Sequence, residues 1–126
     1  MVSDHYIVYQ TPSDWARFVD ELWRILVPEG MAHITWPNLR TGRAFQDPLY
    51  LDHIPLERWS YANKEWRDNA GLTNPAYPSC DFEILSFTWS GVHDDFIGRS
   101  DEMKQYSSSH YWDVAADSII HLRAVK

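Results

Sequence analysis

The sequence predicts an α+β domain: a mainly antiparallel sheet with two long helices packed on one face. Three observations predict it. Residues 11–30 read as one amphipathic helix with both ends marked. Residues 81–90 form a long run with strand-like alternation. Short β-rich runs and helical stripes alternate over the rest of a 126-residue chain. With 44% apolar residues, that length supports one core and one domain spanning 1–126.

The elements follow in order. Residues 5–10 (HYIVYQ) are expected to be a central strand, because Ile7 and Tyr9 alternate with Tyr6 and Val8 and both faces look covered. The helix comes next with almost no loop. Thr11 caps it, and Pro12 suits the first helical position, where its missing N–H costs nothing. Asp14 closes a capping box and meets the positive end of the helix dipole. Trp15, Phe18, Val19, Leu22, Ile25 and Leu26 form one apolar stripe, with Arg17, Asp20, Glu21 and Arg24 opposite. Pro28 and Gly30 stop the helix.

Residues 31–36 (MAHITW) are the next strand, ended by Pro37. Residues 38–42 turn, and Arg43–Gln46 is expected to return as a hairpin partner. A second long helix is expected over 55–71: Pro55 suits its first turn, Leu56, Trp59, Ala62 and Trp66 mark a stripe, and Gly71 lies just past its end. Residues 72–79, with two prolines, are a loop. In 81–90, Leu85, Phe87 and Trp89 point one way and Ser86, Thr88 and Ser90 the other. Phe82 and Ile84 fall on the polar side, so the strand is two-sided or bulged near its middle. Ser100 caps a short helix through about Tyr106, and residues 111–115 and 118–125 are expected to close as a β-hairpin around Ala116-Asp117. The first six elements, β-α-β-β-α-β, match the ferredoxin-like split βαβ arrangement, with the hairpin added at the C-terminal end.

Several function classes are disfavoured. There is no Walker A loop, G-x-G-x-x-G, G-x-S-x-G, H-E-x-x-H, paired C-x-x-C or EF-hand loop. No residue is assigned a catalytic or metal-binding role, no cofactor is implied, and the balance leans away from an enzyme. A net charge of −7 disfavours direct nucleic-acid or anionic-membrane binding. No apolar run reaches membrane-spanning length, the first ten residues lack a secretory signal pattern, and a single cysteine excludes an intrachain disulfide. A cytoplasmic location is the expectation.

The charge is uneven. Residues 81–117 hold Asp81, Glu83, Asp94, Asp95, Asp101, Glu102, Asp113 and Asp117 against only Arg99 and Lys104. The chain also carries seven Trp and seven Tyr, more rings than a small core buries fully. Asp94, Asp95, Phe96, Asp101, Glu102, Tyr106, Tyr111 and Trp112 therefore read as an acidic, aromatic binding face. Charge steers a basic partner and the rings supply desolvated anchors. Such a protein suits the role of an inhibitor of a basic macromolecule, of the immunity or anti-defence type. The plainer reading is a solvated face that keeps the chain soluble.

Two other functions compete. One is a small-molecule-binding protein or small enzyme whose pocket has Trp36, Trp89, Tyr111 and Trp112 as walls and His33, His53, His93 or His110 as its polar group. If the loops around Asp52-His53 and His93-Asp94-Asp95 meet, imidazole and carboxylate converge into an acid–base or metal site. The other is a structural subunit of a larger assembly. His33 reads as a hydrogen-bonded strand residue, and His121, between Ile120 and Leu122, as facing solvent or a partner strand. Cys80 beside Asp81 has no activating cation nearby, which argues against a cysteine nucleophile. Oligomeric state is left open.

Overall fold

The computed structural model describes all residues, Met1–Lys126, as an α+β fold built on a four-stranded mixed sheet. The strand order is β1-β2-β4-β3, with β1 at Val2–Asp4, β2 at Met31–Pro37, β3 at Phe82–Val92 and β4 at Ala115–Ala124. β1 runs parallel to β2, and β4 is antiparallel to both β2 and β3. Helix α1, Pro12–Ile25, connects the two parallel strands. Its cap forms as expected: Thr11 Oγ1 accepts from the Asp14 N–H at 3.3 Å and donates to the Asp14 carboxylate at 2.7 Å.

Strand periodicity decides which side is the core. Even-numbered residues of β2 and β4 point inward: Ala32, Ile34 and Trp36, and Ser118, Ile120, Leu122 and Ala124, are all buried. Trp15, Val19 and Leu22 of α1 join them in one cluster. Trp59 fills the centre, 5.6 Å from the Trp15 ring and 5.5 Å from the Trp36 ring. The Trp36 indole N–H donates to the Ile54 carbonyl at 2.8 Å, so this buried ring keeps its polar atom satisfied. Odd-numbered residues face the other way, and that outer face is mixed: His33 and Thr35 on β2 and Asp117, His121 and Arg123 on β4 lie beside Met31, Pro37 and Ile119.

Four expected elements take another form, each for a local reason. The first strand is Val2–Asp4, and Tyr6–Tyr9 is a 3-10 turn. His5, with φ 56°, breaks the extended run. Spacing of three then puts Tyr6 and Tyr9 on the exposed side while Ile7 and Val8 are buried. Arg43–Gln46 is a short helix, α2, and not a hairpin strand. Both edges of β2 are already taken by β1 and β4, and buried Thr41 anchors the turn by donating to the Asn38 carbonyl at 3.1 Å.

The second long helix divides into a 3-10 segment, Leu56–Ala62, and a one-and-a-half-turn helix α3, Lys64–Asn69. Leu56, Trp59 and Ala62 repeat every three residues, which is the 3-10 period. Asn63 then adopts extended dihedrals and recaps the chain, its Oδ1 accepting from the Trp66 N–H at 2.8 Å. The C-terminal hairpin is also absent: Ala115–Ala124 is one strand. Asp117 sits inside it, opposite Pro37 on one side and Ser90 on the other. Its carboxylate accepts from His5 Nε2 at 3.1 Å and pairs with Arg43 Nε at 3.3 Å. With partners on both edges the strand has no freedom to turn. The ferredoxin-like arrangement is therefore not formed. The sheet is mixed, because β1 is parallel, and α1 is the one helix of the expected length.

The bulge is where the pattern placed it. The β3–β4 register shifts between Ile84 and Ser86. Phe82 and Phe87 both turn toward the core as a result, and Ser86 faces His121. No helix is long and apolar enough to cross a membrane.

Candidate functional site: an acidic, aromatic segment

The segment from His93 to Asp113 runs from the end of β3 to the start of β4. It opens with a single 3-10 turn, Asp94–Phe96, in which His93 Nδ1 accepts from the Asp95 N–H at 3.3 Å. Gly98, at φ 80°, reverses the chain in a region an L side chain rarely adopts. Ser100 then caps α4, Asp101–His110, by accepting from the Met103 N–H at 3.2 Å. This helix runs one turn beyond the expected Tyr106, because His110 Nδ1 bonds the Tyr106 carbonyl at 2.8 Å and the two rings stack at 4.1 Å. Buried Ser107 seats the helix. The segment ends at Asp113, whose N–H donates to the Arg40 carbonyl at 2.8 Å and whose carboxylate accepts from the Gly42 N–H at 3.2 Å. At the other end the His93 N–H donates to the Val114 carbonyl at 2.8 Å, so both ends of the segment are held by backbone hydrogen bonds.

Asp94, Asp95, Asp101 and Glu102 are all exposed. Asp94, Asp101 and Glu102 form no ion pair, and Asp95 faces only His93, at 3.5 Å. Asp101 and Glu102 lie in the first turn of α4, where carboxylates complement the dipole. The same segment carries large apolar side chains that water reaches: Tyr106 at 54%, Tyr111 at 56% and Trp112 at 57% exposure, toward or beyond the end of α4, with Ile97 and Met103 nearer its start. Phe96 is half-buried. Trp112 extends the patch beyond the segment. Its ring lies 6.0 Å from Phe45, which stacks on His53 at 4.3 Å. Ile97, Met103 and Phe45 were not singled out from the sequence. A tally of apolar residues beside the carboxylates finds the first two, but Phe45 is remote in sequence and depends on α2.

The walls of the alternative pocket do not converge. Trp36 is in the core, His33 is on the outer sheet face, and Tyr111 and Trp112 are exposed. Trp89 alone lines a cavity of about 200 Å³ beneath α4, with Phe87, Gln105, Ser108 and Ser118. The two His-Asp loops likewise build no ligand set. The Asp52 carboxylate is buried against the Arg58 guanidinium, His53 stacks on Phe45, and no group of three or more His, Cys, Asp or Glu side chains is placed to hold a metal. Cys80 is buried. Burial pushes its thiol up to about 12, with the Asp20 carboxylate adding to the effect, which is the opposite of nucleophile activation.

One polar group was missed. His33 Nδ1 and His121 Nε2 meet across β2 and β4 at 2.8 Å. The two residues are 88 positions apart, and only the strand register joins them.

No protein-family model matches the sequence, and no curated protein is significantly similar to it.

Proposed function

We propose that this chain is a small acidic protein that acts by binding, in the cytoplasm, and that it neutralises a basic protein partner through residues 94–112. The single observation that carries the reading is that carboxylates without a Lys or Arg partner and exposed rings share one segment. Asp94, Asp95, Asp101 and Glu102 supply a field that attracts a cationic surface from a distance and sets the approach. Tyr106, Tyr111 and Trp112 supply the rigid amphipathic area that becomes an interface anchor once desolvated. A face held by its own carboxylate–cation pairs would lack the first property, and a buried aromatic cluster would lack the second. Basic nucleases and nucleic-acid-binding effectors present the complementary charge, so an immunity or anti-defence inhibitor fits this chemistry.

The test is native mass spectrometry of protein recovered from its host at low salt. It compares the wild type with a variant carrying Asp94→Asn, Asp95→Asn, Asp101→Asn and Glu102→Gln, and separately with Trp112→Ala. A basic protein that co-purifies with the wild type, leaves as salt rises and is lost from both variants is the expected result. A partner that binds all three forms alike removes this face from consideration.

A further inference from the structure

The outer face of the sheet carries a row of polar side chains that the binding reading does not use. Ser86 Oγ lies 2.8 Å from His121 Nδ1, His121 Nε2 lies 2.8 Å from His33 Nδ1, and His33 Nε2 lies 3.3 Å from Thr35 Oγ1. The row crosses three strands, β3, β4 and β2. Strand chemistry explains the closeness of the central pair. His33 and His121 are directly opposed in the register. The His33 N–H donates to the Met1 carbonyl on the β1 side, so the backbone groups of His33 point away from β4. The His33–His121 pair is therefore a non-hydrogen-bonded one, the kind in which opposed side chains stand closest. Both histidines are half-buried, and Ser86, where the bulge re-aims the strand, is exposed.

Each imidazole has its outer nitrogen against a hydroxyl and its inner nitrogen against the other imidazole. That is how histidines are usually held around a metal: a hydrogen bond at the far nitrogen sets the ring's orientation and tautomer, and the near nitrogen is left to ligate. When the outer nitrogens of both rings donate to Ser86 and Thr35, both inner nitrogens present lone pairs, and a metal ion beside the line that joins them can accept both. We propose that His33 and His121 form a two-histidine seat for a borderline divalent transition metal, with copper(II) the preferred ion and water in the remaining positions. Copper(II) is preferred because it stands at the head of the order of divalent affinities for nitrogen donors. The observed 2.8 Å is the hydrogen bond of the metal-free pair, and it already holds the two nitrogens close enough for one ion to reach both with metal–nitrogen bonds of about 2.0 Å.

The exchange balances without an added reagent. In the metal-free pair one inner nitrogen holds a proton and the other accepts it. On metal binding that proton moves through solvent to the outer nitrogen of the same ring, which then donates to its hydroxyl. Neutral histidines thus take the ion with no net release of protons. The nearest cationic side chain along β4, Arg123, is already engaged by Glu83, with its Nε 2.9 Å from Oε2, and by Glu29 at 3.3 Å, so its repulsion of the ion is reduced.

The experiment is titration of the full chain with copper(II) in the presence of glycine as a weak competitor, read by calorimetry and by electron paramagnetic resonance. One equivalent with two equatorial nitrogens is expected in the wild type. His33→Ala and His121→Gln should each remove that signal, and Ser86→Ala should weaken binding about tenfold by freeing the His121 ring. His93→Ala, which lies outside the row, should bind as the wild type does. Circular dichroism without metal confirms that each variant is folded. A one-equivalent signal that survives in the His33→Ala, His121→Gln double variant, or zinc binding tighter than copper, overturns the proposal.

Discussion

Cys80 shows how far one side chain's surroundings set its chemistry. Its sulfur is 3.6 Å from the Ala62 carbonyl, it is fully buried, and its own N–H donates to the Asp20 carboxylate at 2.8 Å. Burial first, and the nearby carboxylate second, hold the thiol protonated up to about 12. An unfolded thiol ionises near pH 8.5, at roughly the reference value. The folded value is raised, so the contribution to stability is complete below the unfolded value. It is lost as pH rises, because the unfolded chain releases a proton that the folded chain keeps. Stability should therefore fall from about pH 8.5 toward pH 12 by up to about 1.4 kcal/mol per pH unit from this group. Urea unfolding of the wild type and Cys80→Ala across that range checks it. The variant's alkaline limb should be shallower, and parallel limbs would show that other groups govern it. Iodoacetamide at pH 8 should modify the native thiol only as fast as the chain opens.

Elements were legible where residues of one segment decide the outcome and obscure where a distant partner decides it. Helix α1 carries its cap, its stripe and its stop within 20 residues, and it forms as read. The β3 bulge is visible because Phe82 and Ile84 fall out of phase with Phe87. By contrast, Arg43–Gln46 follows a turn and reads as a returning strand, but both edges of β2 are occupied and its helix-favouring residues form α2. Asp117 has the composition of a turn but is held extended by His5 and Arg43. The acidic segment was legible as composition, while its support from Arg40 and Gly42, and its extension through Phe45, were not. Asn63 carries the same lesson between the 3-10 segment and α3. Its Oδ1 caps α3, while its Nδ2 donates to the Phe82 carbonyl at 2.9 Å and so ties the cap to β3. Asn63→Ala should lose both bonds and lower stability by about 1–3 kcal/mol, more than a simple cap deletion. Asn63→Asp keeps the cap and loses the donor, so it should fall between the two. An alanine variant as stable as the wild type would show that α3 contributes nothing to the fold.

Across the whole molecule, charge and packing are separated except at two buried places, the Asp52–Arg58 pair and Arg67. Hydrophobic packing lies on the inner face of the sheet, the His33–His121 pair and the Arg123–Glu83 pair on the outer face, and the carboxylates without a Lys or Arg partner beyond the end of β3. This separation makes binding and stability independently testable, since sites without shared partners add. Asp94 and Asp95 lie on a 3-10 turn, whereas Asp101 and Glu102 also support the N-terminal end of α4. Asp94→Asn with Asp95→Asn should thus leave the unfolding midpoint within about 0.5 kcal/mol of the wild type. Asp101→Asn with Glu102→Gln should cost roughly 0.5–2 kcal/mol through the helix dipole. If the carboxylates steer a basic partner, both pairs should slow its association to a similar degree and flatten its salt dependence, because the long-range field counts charge and not helix position. Stopped-flow association rates at several ionic strengths, set beside denaturation midpoints, separate the two effects. Association that tracks stability, with the Asp94, Asp95 pair silent in both, would reduce the acidic face to helix capping and solubility.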